Sequence, residues 1–180
     1  MQRIPALPLD TTDEAVSSLF NAVRQKMGGV PNILRTMAQS PAALEAYLGF
    51  SGAIGNGRFT AAQSELAALA AAGENSCDYC ASAHSALGKM AGLDQPDMHQ
   101  VIAGGNLDGS DGAIVTLTRK ILNQRGVLSD ADVEAFYAAG FDEGHLVELI
   151  ALTALNIFTN YFNHIAATEI DFPVVSTRAA

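Results

Sequence analysis

Apolar side chains recur every three or four residues along almost the whole chain, which is the period of a helix face and not of a strand. A first helix is expected from about Thr12 to Met27, with Asp13 and Glu14 suiting its N-terminus and Gly28-Gly29 stopping it. A short helix follows from Pro31 to about Gln39. "SPAALEAYLGFSGAI" reads as the third, capped by Ser40 with Pro41 at its first position. "GNG" at 55–57 is a turn. Thr60 caps the next helix, "AAQSELAALAAAG". The break at "ENS" leaves Ser76 to cap another, beginning near Cys77 and ending at Gly92.

Pro96 opens a short helix that reaches Gly104-Gly105, and "DGAIVTLTRKILNQRG" makes a longer one. Ser129 begins "SDADVEAFYAAG", with Asp132 in its first turn. The last and longest helix starts near Asp142 and continues to about Thr168. Beyond it, "DFPVV" and the tail read as loose or bound to a partner. No run alternates convincingly between hairpin turns. The expectation is an all-α chain forming one domain, residues 1–180.

Composition and segment character sharpen this picture. Alanine runs such as "ELAALAAAG" favour helix. Ten basic against nineteen acidic residues give a net charge of −9, which opposes nonspecific nucleic-acid binding because that rests on neutralising phosphates. No apolar run reaches the roughly 18 residues of a membrane span; the segment Ile150 to Ile165 is interrupted by Asn156, Asn160, Asn163 and His164 and reads as a buried helix. "MQRIPALPLD" lacks the basic-then-apolar pattern of a signal peptide, so cytoplasmic residence is the default. Only 16% of residues are charged, too few to cover a monomer well, so some apolar faces are expected to meet other subunits.

The chemistry concentrates in "ENSCDYCASAH", residues 74–84, which holds the only two cysteines. Cys77, Cys80 and His84 are three and four apart, so a helix puts them on one face. Cys77 stands at the expected helix N-terminus, where the dipole favours a thiolate. His84, one turn from Cys80, can take its proton or stabilise its charge. Glu65, on the preceding helix, can face His84, fixing its tautomer and raising its basicity. A Glu–His–Cys relay beside a second thiol suits dithiol catalysis.

Other readings remain open at this point. Cys77, Cys80, His84 and Glu65 could ligate zinc, although no second pair of ligating motifs exists. A structural disulfide would close a tiny loop and remove little chain entropy. Two buried cysteines can also be mere apolar filler. In a reducing cytosol a lone Cys-x-x-Cys pair is more often redox-active or metal-binding than a static staple.

Glu65, eleven residues, "CDYC", three residues and His84 together resemble the signature of the alkylhydroperoxidase AhpD family, within the carboxymuconolactone decarboxylase-like superfamily. The resemblance is strongest over about residues 60–92, the expected catalytic segment. The remainder, including "IFTNYFNHIAATEIDFP", is similar to the peroxidase-related subgroup. It implies an AhpD-like helical bundle assembled as a homotrimer or homohexamer. It implies a thiol peroxidase in which Cys80 attacks a hydroperoxide, Cys77 resolves the sulfenic acid, and Glu65 and His84 relay protons. A lipoyl group or thioredoxin-like protein would reduce the disulfide, and no metal, flavin or haem is required. Superfamily decarboxylases lack this dithiol, which argues against their reaction here; disulfide exchange without peroxide turnover is the other redox alternative. Tyr79 stands where well-characterised members carry a relay histidine. A tyrosine passes a hydrogen bond but is a poor base near neutral pH.

The remaining candidates have plainer readings. His164 is expected in the core or an interface, and His99 and His145 on helix surfaces. Asn156, Asn160 and Asn163 form a buried stripe that could bond across a subunit contact or line a pocket, the contact being the favoured reading. Phe158, Tyr161 and Phe162 are core or interface anchors. Tyr47, Phe50 and Phe59 could form an apolar mouth, and Met27, Met37 and Met90 fill the core. Lastly, "ELAALAAAG" echoes "ELIALTALN" from Glu148, which would align Asn160 and Asn163 with Cys77 and Cys80.

Overall fold

The computed structural model describes residues 2–178. Among these, all regular structure is α-helical: α1 (Glu14–Met27), α2 (Asn32–Met37), α3 (Pro41–Ile54), α4 (Ala61–Glu74), α5 (Asp78–Met90), α6 (Gln95–Ile102), α7 (Gly109–Asn123), α8 (Asp130–Ala138) and α9 (Glu143–Ala166). The caps read from the sequence hold at four starts. Ser40 accepts from Ala43 N and Thr60 from Gln63 N, while Ser129 and Asp142 close capping boxes with Asp132 and His145. The others differ: α2 begins at Asn32, one residue after Pro31, and α6 at Gln95, one before Pro96. α1 begins at Glu14 because Asp13, not Thr12, supplies the cap to Val16 N. α7 begins at Gly109, before the Asp111 expected. The cap of α5 is Cys77 itself and not Ser76.

Helix α4 is the axis of the molecule and packs against α5, α6, α7 and α9. Seven consecutive residues, Leu66 to Ala72, are buried, so it is covered on every side. Four of its neighbours fit because most of those residues are alanine. Gly73 continues the logic: a Cβ there would collide with the Ile102 carbonyl, so α6 crosses in contact with the α4 backbone. One apolar cluster joins α4 to α1, α2, α3, α5 and α6, and a second joins it to α7, α8 and α9. Leu66 and Leu69 are fully enclosed, each stabilising by about 1.5–3 kcal/mol.

The tail is not loose. Asp171 accepts from Asn32 N at 2.8 Å and from the Tyr79 hydroxyl at 2.8 Å. Val175 N donates to Ser82 Oγ at 2.9 Å, and Thr177 donates to Asp78 at 2.7 Å. Ile170, Phe172 and Val175 pack on the larger cluster. The segment therefore straps α5 to α2. Met37 is buried as expected, but Met27 is 49% and Met90 84% exposed, so neither fills the core. Among the described residues, no helix is long and apolar enough to cross a membrane.

Candidate active site

The break between α4 and α5 is abrupt because Ser76 takes a positive φ of 55°, an uncommon conformation for a residue with a Cβ. It turns the chain so that Cys77 enters as the cap of α5, its sulfur accepting from Cys80 N at 3.4 Å. Both cysteines are free thiols and nearly inaccessible. Cys77 donates to Cys80 Sγ across 2.8 Å. That hydrogen bond drives the two apart in acidity: Cys77 keeps its proton and titrates high, and Cys80 is lowered to about 6. Burial opposes the lowering, while the charge of His84 and the hydrogen bond from Asn163 add to it, and the nearby Asn160 amide helps without completing a hydrogen bond to the sulfur.

His84 Nδ1 meets Glu65 Oε2 at 2.7 Å, an antiparallel contact between α5 and α4. Burial alone would lower the imidazole, but the Glu65 carboxylate and its hydrogen bond raise it. The four residues expected to converge do so. A cavity of about 430 Å³ opens onto this group, and Cys80, His84 and Glu65 line it while Cys77 lies behind. Its other walls are mainly apolar, including Val23, Leu34, Leu48, Leu87 and Leu155. Glu65 is engaged with His84, and among the described residues no three His, Cys, Asp or Glu side chains are placed to hold a metal ion.

Several assignments change. Of the three aromatic residues expected at the mouth, Tyr47 lines the cavity. Phe59 packs on Phe141 and His145, and Phe50 is exposed. The Tyr79 hydroxyl is engaged elsewhere than with His84, accepting from Ile33 N at 3.1 Å and donating to Asp171; burial raises it far above its usual range. It serves the strap and not the relay. His164 is exposed, with Nε2 3.2 Å from the Ser76 carbonyl. His145 braces the start of α9 through Asp142, and His99 is exposed. Phe158 and Tyr161 are exposed and Phe162 is half-buried.

For the asparagines the pocket alternative holds and the favoured subunit contact does not; what the sequence missed is their link to Cys80. They are buried within the protomer, not at its surface, and Asn163 Nδ2 donates to Cys80 Sγ at 3.3 Å. Asn156 and Asn163 line the cavity. The signal was present in their alignment with the two cysteines.

Residues 41–113 match the carboxymuconolactone decarboxylase family. The match runs from α3 into α7 and contains the whole dithiol segment. No curated protein matches the chain. Solved structures with the same fold include an AhpD-core, uncharacterized peroxidase-related protein from Ralstonia eutropha JMP134, at 22% identity, TM-score 0.85, covering 94% of this chain and 92% of that one. A peroxidase-related protein from Silicibacter sp. TM1040 gives 21% identity and TM-score 0.79, covering 93% and 92%. A cysteine-to-alanine variant of the debrominase Bmp8, in complex with 2,3,4-tribromopyrrole, gives 16% identity and TM-score 0.77, covering 93% and 91%. The all-α, AhpD-like fold and the family resemblance read from the sequence both stand.

Proposed function

We propose that the protein is a thiol peroxidase that reduces hydroperoxides through the Cys77–Cys80 pair. The observation that carries this reading is the asymmetry of the dithiol. Cys80 is the acidic thiol, meets the cavity and neighbours the His84–Glu65 pair; Cys77 holds its proton and lies behind. The peroxidase-related relatives and the family segment agree with it.

The Cys80 thiolate attacks the terminal peroxide oxygen. An S–O bond forms, the O–O bond breaks, and the alkoxide leaves with a proton from His84, held protonated by Glu65. Sulfur is oxidised to sulfenic acid and the peroxide is reduced to alcohol. The Cys77 thiol then displaces the sulfenic oxygen as water, closing the disulfide. An external dithiol, lipoyl or thioredoxin-like, restores both thiols. The reducing cytosol suits such a cycle, and a homotrimer or homohexamer is the expected assembly. The largely apolar cavity favours an organic hydroperoxide over hydrogen peroxide.

Cys80→Ser is expected to abolish consumption of cumene hydroperoxide by the pre-reduced protein. Turnover retained in that variant would sink the reading. A second reading, thiol-dependent reductive debromination, takes support from the same apolar cavity with one acidic thiol and from the debrominase of like fold. Bromide release from a brominated pyrrole in the presence of a dithiol, with peroxide untouched, would favour it.

A further inference from the structure

The peroxidase reading uses only α4 and α5, yet a third helix reaches the reacting sulfur. On α9, Asn160 and Asn163 are spaced three apart, as the cysteines are on α5, and α9 packs on both α4 and α5. From Leu149 to Ala166 that helix carries no Asp, Glu, Lys or Arg, and the Thr159 hydroxyl beside the cavity is turned back onto its own helix backbone, which leaves the amides to serve the thiol. Asn163 Nδ2 donates to Cys80 Sγ at 3.3 Å, while its Oδ1 finds no partner in the protein. Asn160 is fully buried; Asn75 Nδ2 grips its Oδ1 at 2.8 Å, leaving its own Nδ2 without a partner. Buried amides left unsatisfied are costly and uncommon. Two of them, three residues apart on the helix facing a reactive dithiol, point to a group that arrives during turnover.

We propose that Asn163, supported by Asn160, is a catalytic residue that donates to the Cys80 thiolate and then holds the sulfenic oxygen the peroxide leaves there. This rests on the assignment of Cys80 as the attacking thiol. A thiolate offers only acceptor sites, which the Nδ2 hydrogen serves. The sulfenic acid adds an O–H, which the free Oδ1 of Asn163 can accept, and an oxygen lone pair, to which the free Nδ2 of Asn160 can donate. The amide is thus matched to both states of the sulfur. It also holds Cys80 while Cys77 forms the S–S bond and the sulfenic oxygen departs as water.

The ionisable groups facing Cys80 are Cys77 at the cap of α5, His84 and Tyr79 of α5, Glu65 of α4 and Tyr47 of α3, with Asp171 behind Tyr79. Of these, a change at 163 touches only Cys77, whose ionised form the Asn163 amide also favours, so each thiol is mapped separately and the midpoint is read at Cys80. The test is the pH midpoint of Cys80 alkylation by iodoacetamide, mapped by mass spectrometry in the reduced full chain. Asn163→Leu is expected to raise that midpoint by about one pH unit, the tenfold change of one hydrogen bond to a charged group. A second readout is the lifetime of dimedone-trappable sulfenic acid in a Cys77→Ser background, which should shorten severalfold. An unchanged midpoint in folded Asn163→Leu overturns the proposal.

If the leucine variant does not fold, the near-isosteric Asn163→Asp should raise the midpoint and Asn163→Gln, with the same amide, should stay near wild type. Equal midpoints in those two overturn it as well. The peroxidase reading fails separately. If wild-type thiols react with cumene hydroperoxide no faster than free cysteine while Asn163→Leu still raises the midpoint, the amide role at Cys80 stands and peroxide is not the substrate.

Discussion

At the scale of single residues, the proposed peroxidase function turns on which sulfur is ionised and where a proton waits. Cys80 is lowered to about 6, first by the hydrogen bond from Cys77 and then against the opposing effect of burial. A group lowered in this way is thiolate above that pH and loses its charge below it. The second-order rate of the reduced protein with cumene hydroperoxide should therefore fall about tenfold from pH 7 to pH 5, as the thiolate fraction falls. A rate that instead climbs steadily towards pH 9, as for an ordinary cysteine, would show that Cys80 is not tuned. Burial would lower His84, and it is raised because Glu65, helped by the Cys80 charge, outweighs that effect. Glu65→Gln removes the carboxylate, the imidazole becomes neutral at pH 7, and the alkoxide loses its acid. The single-turnover rate should drop about a hundredfold, the usual worth of general acid catalysis; a loss below about threefold would place the proton source elsewhere. Cys77, Cys80 and His84 were legible because i, i+3 and i+7 positions on one helix must share a face, and Glu65 because the short break at 74–76 folds α4 back beside them. The asparagines were legible as a buried stripe, but their target was not. Helical periodicity says which side of α9 is buried and nothing about which helix lies against it.

At the scale of elements, the chain announces its helices through local chemistry and conceals what depends on distant contacts. Ser40, Thr60, Ser129 and Asp142 satisfy backbone donors within their own first turns, so each start was readable. Cys77 displaced Ser76 as a cap because the left-handed Ser76 turns the chain one residue early. The C-terminal strap has no helical period at all. Its hydrogen bonds span 92 residues from Tyr79 to Asp171 and 139 from Asn32 to Asp171, so no local pattern could reveal it. Tyr79 is the joint between strap and α5, holding both Asp171 and the Ile33 amide. Tyr79→Phe leaves that buried amide without its acceptor and should cost about 1–3 kcal/mol in urea unfolding. It should leave the pH dependence of peroxide consumption unmoved, since the hydroxyl does not contact His84. A shifted pH profile would return the tyrosine to the relay.

At the scale of the whole molecule, the longest helix carries two opposite faces. Its inner face supplies Leu149, Leu152, Asn156, Asn160 and Asn163 to the interior. Its outer face exposes Val147, Ile150, Ala154, Phe158, Tyr161 and Ile165, a stripe at intervals of three and four residues and the pattern of helix-to-helix contact. A molecule of net charge −9 repels its own copies wherever charge is displayed. The outer stripe shows none from Ile150 to Ile165, so it is the face on which two copies meet at least electrostatic cost. Twenty-four residues make a helix about 36 Å long and about 10 Å wide, or roughly 360 Å² per copy. Stable interfaces need nearer 800 Å² per partner. Exposed Phe50 on α3, which packs beside α9, is positioned to extend the contact. Sedimentation equilibrium should find the wild type assembled, and Tyr161→Glu with Ile165→Glu should release monomers of unchanged helical content. Two buried carboxylates without partners cannot be tolerated in such a contact, whereas on a solvated face they are innocuous. An assembly that survives both substitutions would mean that the subunits meet through another surface and that the outer face of α9 is open to water.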